Sequence, residues 1–486
     1  MVKTQLAERR ASYGPTSPIV GKRGARTRER IVAETLSLFA RIGFHETTVR
    51  DIAKAAEISP ASVYQYFESK EEIFVELLDE CGDALHSVMR RIGPLGPTEQ
   101  GFENLSQWLL GWTEVYEKYG TLFVQWANVD LPGTAVRGLV SSFLYAYNLR
   151  IANRFRRSGL TGMDPREAAI VTTSVVHRFN YLRFVSRAIQ PSASAAVRDV
   201  AAALQMTLFP DTPLTVLRSR EHSGAAAKCH HPPAPRRWYG QYDRGSKLNG
   251  LTARSTLTVT QILEAGARCF AESGYHRANV DEIVKQARFA RGTFYKYFRD
   301  KLDLLLVLSD ECEDMLAERI VAFSAIPVGV AGCAARREWL VEFLDFRALY
   351  IGVIRAWIDR LPSNPALDQS RGRVTELVHR SLEGLVGQTR LADVVSVRAA
   401  EVVLIGLLER LPDAMTDNAH PATRAHIAEL MATVIERGLL GFEQGLPGFE
   451  PDRYGVEQGV SRHEQDRPRH EQDRSDLHLA DNCGNL

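Results

Sequence analysis

The sequence lacks most of the marks that would place it outside the cytosol or among enzymes. Its six cysteines, Cys81, Cys229, Cys269, Cys312, Cys333 and Cys483, include no CxxC pair in 486 residues, which excludes a disulfide framework and leaves reduced, mostly buried thiols. No run of about 18 apolar residues exists, so no membrane span is expected. The opening stretch MVKTQLAERRASYGPTSP has no apolar segment after its charges and does not read as a secretory signal, so a cytoplasmic location is expected. A P-loop, a GxGxxG following a strand, an HExxH and a nucleophile elbow are all missing, and neither catalysis nor a cofactor is expected. His222, Cys229, His230 and His231 cluster without the usual zinc spacing, so no metal site is expected. Excess charge is missing as well. The net charge of +1 excludes a broadly basic, histone-like binder, although positive charge can still be local.

What the chain does have is a repeat. Shifted by 231 positions, Ile31–Leu85 falls on Ile262–Leu316 without a gap, pairing Phe39 with Phe270, Gly43 with Gly274, His45 with His276, Tyr64 with Tyr295, Phe67 with Phe298 and Lys70 with Lys301. The same offset sets Cys81 on Cys312, Trp108 on Trp339, Tyr119 on Tyr350 and Trp126 on Trp357. Tryptophan is rare, so the duplication extends well beyond the first block. Between the copies, 210–252 carries His230-His231-Pro232-Pro233-Ala234-Pro235 without apolar periodicity and reads as a linker. The tail, 449–486, is polar, repeats RHEQDR at Arg462–Arg467 and Arg469–Arg474, and cannot bury a core.

Strand signals are nearly absent while helical spacing is everywhere, so the expected fold is all-α. Ile31, Val32, Leu36, Phe39, Ala40 and Ile42 form a stripe that stops at Gly43. Thr47 or Thr48 offers a cap for a short second helix. Ser59-Pro60 places a capping hydroxyl before a proline at the first position of a third, brief helix running to about Tyr66. Ser69 caps a longer fourth helix whose first turn holds Glu71 and Glu72, where the helix dipole favours negative charge. A tight turn between short second and third helices is the geometry of a helix-turn-helix head.

Two segments carry a family likeness. TTVRDIAKAAEISPASVYQYFESKEEIF (Thr47–Phe74) and NVDEIVKQARFARGTFYKYFRDKLDLL (Asn279–Leu305) both resemble the DNA-binding head of TetR/AcrR regulators. The resemblance implies two tandem units, each a head followed by a helical ligand-binding and dimerising domain. The expected organisation is an N-terminal arm at 1–23, a first head at 24–85, a first body at 86–209, the linker, a second head at 253–316, a second body at 317–448, and the tail. It further implies operator DNA as one partner, a small-molecule effector as another, no membrane, and a pseudo-dimer within one chain or a homodimer. The implied function is a ligand-released transcriptional repressor; the alternative is a ligand-sensing or protein-interaction module whose heads have partly lost DNA binding.

Side-chain chemistry assigns roles within each head. Tyr64, Tyr66 and Lys70 can hold phosphate oxygens, as can the hydroxyls of Thr47 and Thr48 at a helix start. By resemblance, Pro60, Ala61, Ser62 and Gln65 face base edges, and Gln65 can bond adenine in bidentate fashion. The second set is Asn279, Tyr295, Tyr297 and Lys301 for phosphate, with Arg291, Gly292, Thr293 and Lys296 toward bases, where Arg291 or Lys296 favours guanine. Tyr64 and Tyr295 also read as core aromatics, and Cys81 and Cys312 as packing positions. Lys22, Arg23, Arg26, Arg28 and Arg30 form a basic arm before the first head, suited to phosphate or the minor groove or simply solvated.

Some features depart from the pattern. The turn before the reading helix usually carries glycine in this family, yet Glu57 and Arg288 stand there. A left-handed backbone at either would cost about 1 kcal/mol. Ala290 replaces the cap Ser59, and Asp281-Glu282 sit at the phosphate edge of the second head. In the bodies, Trp108, Trp112, Tyr116 and Trp126 recur at helical spacing, answered by Trp339, Tyr350 and Trp357. The stripe reads either as core or as the wall of a pocket for an apolar or acyl-type molecule. Related stripes at Ala168–Leu182 and Ala399–Met415 are candidates for the helix pair that joins the units.

Overall fold

The computed structural model of the chain describes residues 22–125, 136–186, 193–218, 250–359, 364–416 and 422–442. Among these residues every regular element is helical. The first repeat contains α1 (Lys22–Ile42), α2 (Val49–Ala55), α3 (Pro60–Tyr64), α4 (Lys70–Arg90), α5 (Glu99–Gln125), α6 (Val136–Arg156), α7 (Pro165–Ser186), α8 (Ala193–Leu208) and the single turn α9 (Leu214–Leu217). The second contains α10 (Ala253–Arg277), α11 (Val280–Ala287), α12 (Arg291–Tyr297), α13 (Lys301–Ser324), α14 (Cys333–Asp359), α15 (Pro365–Val386), α16 (Val397–Thr416) and α17 (Arg424–Val434), which runs into a π-helical turn at Ile435–Leu439. The tandem all-α architecture expected from the repeat is the one observed.

Local chemistry sets the helix starts in the first head. Thr48 closes a capping box with Asp51, accepting from the Asp51 amide while the Asp51 carboxylate accepts from the Thr48 amide. Ser59 accepts from the Ser62 amide with Pro60 at the first helical position, and Ser69 accepts from the Glu72 amide. Phe39, Ile52, Phe67, Ile73 and Phe74 are then fully buried together, binding α1 and the short α2 and α3 to α4. Each such side chain contributes about 1.5–3 kcal/mol of burial.

The structure redraws four of the expected boundaries. The helix α1 reaches back to Lys22, so Arg23, Arg26, Arg28 and Arg30 lie on a helix and not on a loose arm; the rest of 1–23 is outside the described residues. Arg28 is committed inside the head, ion-paired with Glu76 and placed 4.7 Å over the Phe67 ring. Both α4 and α13 run unbroken from head into body, past the expected ends at 85 and 316. The start of the expected linker is packed, since Thr212 and Leu217 are buried and Gln205 donates to the Thr212 hydroxyl. Most of the remaining linker, 219–249, and the tail lie outside the described residues.

The two repeats meet through α7 and α8 on one side and α16, α17 and the π turn on the other. At the crossing of α7 and α16, a Cβ on Gly406 would lie 3.2 Å from Val175 Cα and 3.5 Å from Arg178 Cβ, so glycine there sets how closely the helices approach. Beside it, Arg178 of the first repeat is ion-paired with Glu409 of the second, their side chains 2% and 11% exposed. His426 Nε2 lies 2.5 Å from Glu167 Oε1, and Arg437 donates to the Thr161 carbonyl. These contacts contain the two stripes, Ala168–Leu182 and Ala399–Met415, that the sequence offers for the joining pair.

Candidate nucleic-acid interface and the body cavity

Each reading helix is pinned to the core of its head by one buried residue, Val63 in α3 and Phe294 in α12, which leaves its other face outward. In the first head, Pro60, Ala61, Tyr64 and Thr48 are exposed and Gln65 is half-buried; Ser62 shares its hydroxyl with Ser59 at 2.9 Å. In the second, Arg291, Gly292, Tyr295 and Lys296 are exposed, and Thr293 and Tyr297 are half-buried. Tyr64 and Tyr295 are 38% and 47% exposed, which removes the reading of either as a core aromatic.

Four expected phosphate contacts are turned inward instead. Thr47 is buried and its hydroxyl donates to the Gly43 carbonyl at 2.7 Å. Tyr66 is buried among the core side chains. Lys70 Nζ donates to the carbonyls of Phe44, His45 and Thr47 at 2.7, 3.1 and 2.9 Å. Lys301 does the same with Tyr275, His276 and Ala278 at 2.9, 3.1 and 3.0 Å, and burial lowers its pKa below the ordinary lysine value. An ammonium has three donors, so both lysines are used up in tying the loop after the first helix of the head to the start of the fourth. Sequence position alone does not reveal this, because it fixes which residue stands there but not which way it points.

The weak points expected from the sequence are present. Glu57 and Arg288 have φ of 53° and 59°, and they are the non-glycine residues with positive φ among those described. Ala290 makes no side-chain cap. Asn279 does cap α11, its Oδ1 accepting from the Glu282 amide at 2.9 Å. A pairing the sequence did not reveal holds Arg291, whose guanidinium donates to Asp281 at 3.1 Å and to the Tyr295 hydroxyl at 3.3 Å. One repeat back, Arg50 stands in place of Asp281 and Pro60 in place of Arg291, so the charge pattern at the reading face differs between the heads.

The aromatic stripes diverge in the two bodies. Trp108, Trp112 and Tyr116 are buried; Trp112 donates to the Tyr147 hydroxyl at 2.9 Å, and Tyr116 stacks on Phe123 and lies 2.6 Å from His177 Nδ1. Trp126 lies outside the described residues. In the second body, Trp339 and Trp357 line a cavity of about 140 Å³ together with Phe343, Val378, Leu404 and the charged Arg347, Arg371 and Glu409. Tyr350 is buried against Phe346 and is not part of that wall. The three charged wall residues were not singled out from the sequence. Burial pushes the Cys81 thiol up to about 12 and that of Cys312 well above its usual value, which fits packing positions and not reactive thiols.

Two heads with exposed reading helices, each set on a helical body, define a helix-turn-helix DNA-binding protein. Residues 31–77 and 262–308 both match the family described as bacterial regulatory proteins, tetR family. The chain therefore carries the DNA-binding domain of that family twice. It is 32% identical to the transcriptional regulator AcuR of Cereibacter sphaeroides, over 21% of this chain and 58% of that protein. To the fatty acid metabolism regulator protein of Bacillus subtilis it is 43% identical, over 12% of this chain and 31% of the relative. To the biofilm operon icaADBC HTH-type negative transcriptional regulator IcaR of Staphylococcus aureus it is 28% identical, over 21% and 54%. The chain thus spans less than two thirds of the length of each of these relatives. No helix among the described residues is long and apolar enough to cross a membrane.

Proposed function

We propose that this chain is a cytoplasmic transcriptional repressor that sets two unlike reading heads on one operator and releases it when a small molecule enters a body domain. The observation that carries this reading is the duplication of a complete head with its reading helix exposed, Pro60–Tyr64 in one copy and Arg291–Tyr297 in the other. Repression is supported by the name of the IcaR relative, a negative regulator. The α7–α16 contact supports a pseudo-dimer within one polypeptide, in which each repeat takes the place of a separate subunit. The exposed groups Thr48, Tyr64, Asn279 and Tyr295 and the half-buried Tyr297 are assigned to phosphates, Gln65 to adenine, and Arg291 or Lys296 to guanine.

A path from cavity to head supports release. The helix α14 carries Trp339, Phe343 and Trp357 of the cavity wall and also packs on α10 of the second head. There a Cβ on Gly352 would come within 2.6 Å of Phe270 Cβ, and Arg355 reaches the Ala271 carbonyl. Displacing α14 therefore presses directly on the head.

Footprinting on DNA flanking the gene at moderate salt tests the reading. The expected result is a protected site of two unlike halves. Gln65→Ala relaxes preference at one base pair by about 1–3 kcal/mol, while Tyr64→Phe weakens binding to all sequences. Weak binding without sequence preference would instead favour an interaction module, to which the strained turns and the self-paired Arg291 lend support.

A further inference from the structure

Every ionic group in the cavity wall already has a counterion. Arg347 is paired with Asp413 at 2.8 Å and also donates to the Glu409 carbonyl at 2.6 Å. Arg371 is paired with Asp368 at 2.9 Å, and Glu409 with Arg178 of the other repeat. The remaining wall is mostly hydrocarbon, with Phe343, Trp357, Val378 and Leu404 prominent. A charged guest would have to break one of these pairs or lie buried without a partner, and either penalty outweighs what burial of a small guest returns. Two polar atoms of these residues lack a hydrogen-bond partner among the described residues, Arg347 Nε and Glu409 Oε2, but both are sealed by protein and present almost nothing to the cavity. Size narrows the choice further, since an engineered apolar cavity of about 150 Å³ takes up one benzene, and this one measures about 140 Å³.

We propose that the second-repeat cavity binds a compact uncharged molecule, about one aromatic ring in size, held by its hydrocarbon wall. This deepens the effector reading and rests on it for the consequence at DNA, although the binding itself does not. It replaces the acyl-type molecule among the two expected from sequence: a carboxylate finds no unpaired cation, and a long chain finds no room.

Calorimetric titration of the full chain with acetophenone, ethylbenzene, benzoate and octanoate tests the proposal. Acetophenone and ethylbenzene are both expected to bind at least about tenfold tighter than benzoate or octanoate. Equal or tighter binding of either anion overturns the neutral-ligand assignment. Val378→Phe fills the cavity and is expected to abolish binding while the thermal unfolding transition persists. Should that variant fail to fold, Thr375→Phe on the more exposed part of the wall provides the same test. Retained acetophenone binding in a folded filling variant places the ligand elsewhere and overturns the site. DNA affinity is then measured with and without acetophenone. Binding that leaves DNA affinity unchanged supports the site and its ligand class while removing the effector reading alone.

Discussion

Glu57 and Arg288 occupy the same step of the two heads, 231 positions apart, and both hold a left-handed backbone, with φ of 53° and 59°. Each turn follows its helix by the same hydrogen bonds, from Glu57 to the Lys54 carbonyl and from Arg288 to the Lys285 carbonyl, both 3.2 Å. The strain survives because flanking helices over-determine the turn. Relief by glycine, about 1 kcal/mol, is largely offset by its greater freedom when unfolded, about 0.5–1 kcal/mol. Glu57→Gly and Arg288→Gly should therefore leave stability nearly unchanged or slightly raised, whereas Glu57→Val should cost more than about 1 kcal/mol. Urea denaturation decides it; a valine as well tolerated as glycine would mean that the turn is not strained.

The two inward lysines give a different signature from a phosphate contact. Lys70→Met and Lys301→Met each leave three loop carbonyls without their cation, a loss of about 1.5–3 kcal/mol. The change in DNA binding should follow head stability, and the slope of log K against log salt should stay as it is. A slope reduced by about 1 in either variant would restore that lysine to the backbone contacts.

The pair Arg178–Glu409 joins the repeats in a nearly dry setting. Removing one partner strands the other charge, so Arg178→Ala or Glu409→Ala should destabilise the protein by about 3–5 kcal/mol. Replacing both with methionine should recover most of the loss. Differential scanning calorimetry of the two singles and the double closes the cycle, and a double variant as unstable as the singles would deny that charge is the issue.

His177 links the aromatic core of the first body to pH. Burial, aided by the positive charges of Arg410 and Arg178, holds its pKa well below the usual histidine value. Tyr116 and Tyr181 complete its surroundings, and burial keeps the Tyr116 hydroxyl protonated to well above its usual range. The unfolded chain binds a proton at His177 more readily than the folded one does. Its contribution is therefore complete above about pH 6.5 and is lost as pH falls below that, by up to about 1.4 kcal/mol per unit. His177→Gln should flatten the stability profile between about pH 6.5 and the acid transition, and an unchanged profile would assign acid sensitivity to other groups.

At the second reading helix, Asp281 holds Arg291, the residue proposed above to read a base. Asp281→Asn removes both that partner and a negative charge from the phosphate edge. Binding should tighten, with the salt slope steeper by about 1, provided the second head engages DNA. An unaltered titration would show that Arg291 stays off the duplex.

Much of this was legible beforehand because it depends on short-range chemistry. Ser59 and Ser69 cap the helices they precede, and the stripes at Ala168 and Ala399 do form the contact between repeats. The tandem heads followed from matched residues at a constant offset. Illegible features were those that depend on direction or on partners far along the chain. Lys70 is surface-type by composition, yet its ammonium caps a loop 23 to 26 residues earlier. The neutrality of the cavity wall arises from Asp413, Asp368 and Arg178, the last of which lies in the other repeat. The basic run after Lys22 looked free because nothing in the sequence ties Arg28 to Glu76.

The contact between α7 and α16 has a kinetic consequence. Separate subunits meet in a second-order step and come apart on dilution, so the share of paired protein falls as copy number falls. Here both halves leave the ribosome on one chain, and their meeting is first order, governed by an effective concentration that copy number does not change. On the pseudo-dimer proposed above, occupancy of a DNA site should thus rise in simple proportion to the number of chains in the cell, without the threshold that assembly from separate subunits imposes.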